Sequence, residues 1–464
     1  MPDLLVVGGG AAGLVAAQTA TGLGASVLLV ERARTGGDCL WTGCVPSKAL
    51  LAAAHAAAGA RDAARFGVRV GEVQVDFATV MSHVRDAITT IAPVDSPEAL
   101  RRAGVRVEHG TVRFTGPRSA EVDGRPQPFR QAVLATGAAP VVPDVPGLGA
   151  ARALTSETVW DLNDLPERLL VVGAGAIGCE LGQAFARLGS RVTLVEAADR
   201  LLPAETPAAS SVLAEAFAAD GIDVRTGVSL AEVRTGLARL TDGTEVAFDQ
   251  VLLALGRRPR TAALGLDAVG VELSRTGHVV VDDRLRTTNP RVWAAGDLTG
   301  HAAFTHTAGV HGSLAASNAL LGLRRTVRPD LVPRVTYTQP EVASFGLAPE
   351  AGARLHTVPH TEVDRAIAEG RTRGHSTLVL DDRGRVVGAS IVGPRAGESL
   401  AEALLAAQQG LRARTVAGAM HAYPTWSDGV WKAALAQGRV DLAAAPTRQV
   451  IAGLVRARRR FLAR

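Results

Sequence analysis

Apolar and polar positions fall in blocks along the N-terminal part of the chain. Leu4 to Val7 (LLVV) is an unbroken apolar run, as expected of a strand covered on both faces. A glycine cluster follows, then AAGLVAAQTATGLG, an Ala-rich stretch without strand alternation that reads as a helix. The segment closes on a second apolar run, VLLVE, which ends in an acid at Glu31. No formal charge falls between Leu4 and Val30, a length that would suit a membrane helix, but six glycines interrupt it. Strand, turn, helix, strand is the better account.

The same grammar returns downstream. RLLVVGAGAIGCELGQAFARLGSRVTLVE again runs from an apolar strand through glycines and a helix to a strand ending in Glu196. VLATGAAP (Val133 to Pro140) and LLALGRRPRT (Leu252 to Thr261) each look like a strand entering a glycine turn. VWAAGDLTG (Val292 to Gly300) leads into the helical THTAGVHGSLAASNALL. From Val332 onward the glycine turns give way to alternating strands, STLVLDD and VVGASIVG, and then the helix ESLAEALLAAQQGL. That change marks a separate C-terminal domain. The predicted fold class is α/β, with two Rossmann-like dinucleotide-binding domains and a C-terminal α+β domain.

Gly8, Gly10 and Gly13 fit G-x-G-x-x-G in the first unit, and Gly173, Gly175 and Gly178 fit it in the second. The first glycine and the terminal acid are 23 residues apart in both copies, 31 − 8 and 196 − 173. Such glycines serve a tight turn, close approach of backbone to a pyrophosphate, and close packing of helix on strand. The helix N-terminus offers N–H groups and a positive dipole end to phosphate, and the acid accepts from ribose hydroxyls. One such motif is weak evidence. Two at equal spacing point to two dinucleotides on one chain. An acid at Glu196 leans toward a free 2′-hydroxyl, hence NADH over NADPH, although Arg200 close by suits a 2′-phosphate.

Composition changes this picture little. The 464 residues exceed a single hydrophobic core, and roughly two to four domains are expected. Hydrophobic residues make up 47% and charged residues 20%, an ordinary globular balance. Formal net charge is +5, yet Thr447 to Arg464 holds six arginines and no acid, leaving 5 − 6 = −1 for the rest. The body therefore carries no general nucleic-acid footprint. Three cysteines argue against a disulfide-framed secreted chain, and no charged n-region precedes the first apolar stretch. A soluble, cytoplasmic protein is expected.

Two of the three cysteines, Cys39 and Cys44, lie in GGDCLWTGCVPSKAL. Cys44 precedes a long helical run, VPSKALLAAAHAAAGARDAARF, with Pro46 near its first turn. A thiolate there gains from the helix dipole, and Lys48, one turn on, faces the same side. Structural zinc would need a second ligand pair, which Cys179 alone does not supply. His301, His306 and His311 recur every five residues and so do not stack on one helix face. The residues leave a metal site, an inert staple and a redox pair open. The redox pair is favoured, and no metal site is expected.

GGDCLWTGCVPSK resembles the FAD-adjacent disulfide motif of the class I pyridine nucleotide-disulfide oxidoreductases. That family includes glutathione and mycothione reductases, dihydrolipoamide dehydrogenases and mercuric reductases. The resemblance runs to about Val440, through both glycine motifs, ATG, AAGD, VPRVTYTQPEVASFG and HAYPTWSDG. It implies FAD on the first unit, held by Gly8, Gly10, Ala12, Gly13 and Glu31 and completed by Gly110, Thr136, Gly137 and Asp297 at the ribitol. NAD(P)H is implied on the second unit, at Gly173, Gly175, Gly178 and Glu196. Further implied cofactor contacts are Gly37, Thr42, Lys48, Thr111, Ala135, Gly256, Gly296 and His306. Lys48 would approach the flavin near N5 and pair with Glu180, a cation stabilising the anionic reduced flavin and an acid limiting that cation's desolvation cost. Two half-reactions are implied, NAD(P)H to FAD and then FAD to a Cys39–Cys44 disulfide. Cys44 would face the flavin in a charge-transfer complex, and Cys39 would attack the substrate.

The C-terminal motif departs from the family pattern. Disulfide-reducing members resemble H-x-H-P-T-x-x-E there, with the histidine before proline as acid and base and the glutamate orienting it. HAYPTWSD puts Tyr423 at that histidine and Asp428 at the glutamate. A phenol of pKa about 10 donates a proton but is a poor base at neutral pH. His421 aligns with the family's noncatalytic histidine and keeps an imidazole nearby. The implied catalytic set is therefore Cys39, Cys44, Lys48, Glu180, Tyr423, Asp428 and His421. The substitution moves the chain toward the mercuric-reductase-like branch, as does VDRAIAEGRT at Val363, although the tail lacks the cysteine pair that mercuric reductases use. Trp41, Thr42 and Trp426 have two readings, walls of a pocket for a flat acceptor such as a quinone, or packing. The family builds its site at a two-fold interface, which implies a homodimer in which Tyr423 and Asp428 of one subunit serve the cysteines of the other.

The expected organisation is an FAD-binding domain over 1–148, an NAD(P)-binding domain over 149–262, a second part of the FAD and central domain over 263–331, an interface domain over 332–445, and a basic amphipathic helix over 446–464. In that helix Val450, Ile451, Leu454, Val455, Phe461 and Leu462 share one face. Docking on the body, with the arginines solvated, is expected over contact with a membrane surface. The expected function is an FAD-dependent NAD(P)H oxidoreductase passing electrons through the cysteine pair to a disulfide or other electrophilic small molecule. Alternatives are a quinone or diaphorase-type reductase in which FAD reduces the acceptor directly, a mercuric reductase, a dihydrolipoamide dehydrogenase, and a flavoprotein redox sensor.

Overall fold

The computed structural model describes residues 1–346 and 353–463. The chain divides into two compact units, Met1–Asp199 with Asp220–Pro329, and Arg200–Ala219 with the chain from Asp330 onward.

In the first unit the repeated sequence grammar becomes a repeated architecture. One five-stranded parallel sheet has the order Val292–Ala294, Gln131–Leu134, Leu4–Val7, Val27–Glu31, Arg106–His109. The other has the order Leu154–Thr155, Gln250–Leu253, Arg168–Val172, Arg191–Glu196, Asp223–Thr226. In each, the strand before the glycines lies centrally, between the acid-ended strand and a late-returning one. Each sheet is accompanied by an antiparallel three-stranded meander, beginning at Val112 in one copy and at Leu230 in the other.

Burial on both faces explains the unbroken apolar runs. Leu4 and Val6 pack with the Ala11–Gly22 and Thr305–Leu321 helices, while Leu5 and Val7 join a core with Phe114 and Phe129 of the meander side. Truncating Leu5, fully buried in that core, to alanine is expected to cost about 2–5 kcal/mol.

The second unit is a five-stranded antiparallel sheet in the order Arg334–Thr336, Glu341–Phe345, Val386–Gly393, His375–Leu380, Arg354–Pro359. The Ala396–Gln408 and Asp428–Ala443 helices pack on it through small residues such as Ala403, Ala406, Ala433 and Ala434. The Pro207–Ala219 helix also belongs here, although its position in the sequence suggested the second nucleotide-binding segment. The buried Glu205 just before it explains the assignment: it accepts from Arg334 Nε at 2.9 Å and from Ser344 Oγ at 2.6 Å. The basic tail forms the predicted helix, Ala445–Leu462. Its apolar face does not dock as expected and remains exposed. Among the described residues, no helix is long and apolar enough to cross a membrane.

Candidate active site

The two glycine turns share one construction. Gly8 and Gly173 both have φ +105°, a region that favours glycine. A Cβ at Gly13 would lie 1.9 Å from the Gly8 carbonyl oxygen, and one at Gly178 would lie 1.8 Å from that of Gly173, so each helix sits directly on its turn. The Ala11–Gly22 and Ala176–Leu188 helices have no side-chain cap, which leaves their first-turn N–H groups available to a phosphate. Glu31 accepts from the amides of Gly9 (2.6 Å) and Ala33 (2.8 Å), and Glu196 from those of Ala174 (2.6 Å) and Ala198 (2.8 Å). Each acid is thereby clamped beside its own turn.

Several predicted contacts gather around the first turn. Gly37 approaches so closely that a Cβ on it would lie 2.6 Å from Gly10 Cα. Gly110 N donates to Glu31 O at 2.9 Å, and Ala135 N to Val7 O at 2.8 Å. Thr136 Oγ1 donates to Arg260 O at 2.7 Å, beside Gly137 in the left-handed region. Gly296 packs on the buried Ala12. Thr111 N instead donates to Asp123 Oδ1 at 2.9 Å, and Gly256 accepts from Val141 N at 3.0 Å. A bare backbone cradle with uncapped amides and an acid at its rim fits the pyrophosphate and ribose of a dinucleotide such as FAD.

Cys39 lies in the short Gly37–Trp41 helix, and Cys44 opens the Cys44–Asp62 helix. Both are free thiols here, hydrogen-bonded to one another. Cys44 Sγ is also 3.2 Å from Thr305 Oγ1, the first residue of the Thr305–Leu321 helix, so two helix N-termini meet at this sulfur. The hydrogen bond from Cys39, aided by Thr305 and the Lys48 charge, brings Cys44 down to about 6, against burial and the Glu180 charge. The same shared bond, then burial and the Cys44 charge, push Cys39 up. The dithiol thus titrates as a pair whose single negative charge rests on Cys44.

Lys48 Nζ is 2.9 Å from Glu180 Oε2, and the pair joins the cysteine-bearing helix to the Ala176–Leu188 helix of the second turn. Thr42 N donates to Asp38 O at 2.9 Å, while its carbonyl accepts from Trp160 Nε1 at 2.9 Å. Trp41 packs: its indole N–H donates to Thr35 O at 2.8 Å, with the Arg34 guanidinium 4.1 Å above the ring.

Charged residues that the sequence reading passed over lie alongside. Arg257 pairs with Asp38 and reaches Asp297 at 3.7 Å, while Arg260 bridges Asp38 (3.4 Å) and Glu157 (2.5 Å). Burial raises the Asp297 carboxyl above the usual range. His306 is exposed and stacks on Phe304, and His301 meets the buried His311 edge-on. Among the described residues, no group of three or more His, Cys, Asp or Glu side chains is placed to hold a metal.

In the second unit, each polar side chain of the C-terminal motif has a nearby partner. Tyr423, 69% exposed, donates to Asp364 Oδ2 at 2.5 Å, and Lys432 Nζ lies 3.4 Å from the same carboxylate. That hydrogen bond raises the phenol above its ordinary range. Asp428, which the resemblance implies orients Tyr423, is buried at the start of its helix and accepts from Thr425 Oγ1 at 3.2 Å. His421 has both ring nitrogens engaged, Nε2 with Glu402 at 2.9 Å and Nδ1 with Ala419 O at 3.0 Å. Trp426 is buried against His360 in the core, which removes it from any pocket wall.

Known proteins resemble this chain in sequence and fold. The family model described as pyridine nucleotide-disulphide oxidoreductase matches residues 2–312, and the dimerisation domain of that family matches residues 332–434. A mercuric reductase of Streptomyces lividans is 40% identical over 452 residues, covering 93% of this chain and 95% of its own. A dihydrolipoyl dehydrogenase of Thermus scotoductus is 35% identical over 455 residues, covering 93% and 96%. The crystal structure of LpdA from Mycobacterium tuberculosis matches with TM-score 0.84 at 27% identity, over 94% of this chain and 99% of its own. With its doubled nucleotide cradle and paired cysteines, the chain belongs to the pyridine nucleotide-disulphide oxidoreductase family.

Proposed function

We propose that this enzyme oxidises NADH through FAD and passes the electrons by way of Cys39 and Cys44 to a small disulfide or another electrophilic acceptor. Family membership brings FAD and a pyridine nucleotide. FAD, when bound, supplies the two-electron relay between the pyridine nucleotide and the cysteine pair. The observation that carries the reading is Cys44, a sulfur at two helix N-termini, beside Lys48, with its thiolate favoured at neutral pH. Reducing a Cys39–Cys44 disulfide with two electrons and one proton breaks the S–S bond and yields a Cys39 thiol and a Cys44 thiolate. That is the charge state this geometry favours.

Attack on a substrate disulfide then requires the Cys39 proton to leave. Cys44, hydrogen-bonded to Cys39, is the base within reach. Cys39 sulfur bonds one substrate sulfur, Cys44 displaces it, and the substrate departs as thiol and thiolate while the Cys39–Cys44 bond re-forms. Glu196, an acid clamped beside the second turn, supports NADH over NADPH.

A second reading, direct reduction of a quinone-type acceptor by FAD, is favoured by the C-terminal motif, where His421 is engaged by Glu402 and Tyr423 is held as a phenol. The mercuric reductase name of the Streptomyces relative makes Hg(II) a further candidate acceptor. The match to a dimerisation domain supports a homodimer, and three cysteines in 464 residues fit a reducing cytoplasm. The test is to add NADH anaerobically to air-oxidised holoenzyme, alkylate it, and weigh the peptides. Alkylation should appear at both Cys39 and Cys44. Bleaching of the flavin with neither cysteine newly alkylated would overturn the route through the pair.

A further inference from the structure

The Ala445–Leu462 helix lies beyond residue 434, where the family match ends, and the proposed chemistry makes no use of it. Its 18 residues extend about 27 Å. At about 100° per residue, Val450, Ile451, Leu454, Val455, Phe461 and Leu462 fall within an arc of roughly 140°, and Arg448, Arg456, Arg459 and Arg460 fall outside it. Arg458 lies within the arc, its guanidinium 5.2 Å from the Phe461 ring centroid, so that its stem lies on the apolar side and its head can reach the rim.

A helix docked on its own chain hides its apolar arc. Here the six side chains are 39–68% exposed. The stretch from Thr447 carries six arginines with no acid, while the rest of the chain sums to −1, so the chain supplies little charge to balance them. Pairing with the tail of a second copy would cover the apolar side chains but bring together twelve uncompensated arginines, twice the six of one tail. A surface both apolar beneath and anionic above answers both features. We infer that this helix lies flat on an anionic phospholipid bilayer, with its apolar side chains at the acyl boundary and its arginines among the phosphates. The helix rests on the bilayer without crossing it.

The test uses full-length FAD-loaded enzyme sedimented with phosphatidylglycerol–phosphatidylcholine vesicles and with pure phosphatidylcholine vesicles, at low and high salt. Two variants accompany it, R456Q/R459Q/R460Q and L454S/F461S, all at exposed positions. The wild type should pellet with the anionic vesicles alone and be released by salt. Binding should weaken about fivefold per arginine removed, on the order of 100-fold for the triple variant, and fall for the serine pair as well. Both variants should keep wild-type NADH oxidation with a soluble acceptor, which separates lost binding from misfolding and from any failure of the acceptor chemistry. Wild type remaining in the supernatant, or pelleting equally with neutral vesicles, overturns the inference. So does a change of molecular mass in solution on serine substitution without lipid binding, which would make a second copy the occupant.

Discussion

Replacing Thr305 with valine should raise the pH at which Cys44 becomes a thiolate. Valine keeps the branched shape and removes only the hydroxyl, whose oxygen lies 3.2 Å from the Cys44 sulfur. A hydrogen bond to a charged group contributes about 1.5–3 kcal/mol in a protein, and Cys44 meets enough solvent that about 1 kcal/mol is the fitting figure. At about 1.36 kcal/mol per pH unit, the midpoint moves up by about 0.7, starting from about 6. The thiolate is depleted below its midpoint, so between the two midpoints the variant should react more slowly. The assay is the rate of iodoacetamide alkylation of Cys44 in the dithiol enzyme across pH, read on the peptide. Thr305→Ser should return the midpoint to the wild-type value. An unchanged midpoint in the valine variant would refute the claim that this hydroxyl stabilises the thiolate.

Glu180→Gln removes the negative charge that opposes the Cys44 thiolate, so the same alkylation profile should shift to lower pH, opposite in sign to Thr305→Val. Gly178→Ala places a Cβ 1.8 Å from a carbonyl oxygen in the second turn; NADH binding, followed by fluorescence titration, should weaken about tenfold or more while bound FAD is retained. Tyr423→Phe should leave the pH profile of NADH-driven turnover unchanged, because a phenol held by Asp364 acts as neither acid nor base near neutrality.

Much of the fold was legible because its signals are local. Buried parallel strands read as unbroken apolar runs, and the glycines recur because backbone must pass within van der Waals distance of backbone. The helix after Pro46 and the Thr305–Leu321 helix fall where the residues predict them. Thr305 as a partner of Cys44 was not legible: 261 residues separate them, and no local pattern records the meeting. The Arg257–Asp38 pair was hidden in the same way, with Arg257 visible only as part of a turn. The resemblance pairs the residue before proline with Asp428, and the hydrogen bond from Tyr423 to Asp364, 59 residues upstream, left no mark in it. Periodicity showed that the tail is amphipathic but carries no information about what covers its apolar face.

The most direct test of the central claim is NADH-driven turnover of wild type and Cys44→Ser against small disulfides, quinones and Hg(II). If electrons leave through the cysteines, wild type reduces a disulfide or Hg(II), and the variant loses that activity while keeping its FAD. If quinones are the sole acceptors and the variant is as fast as wild type, electrons leave from the flavin and the route through Cys39 and Cys44 is wrong.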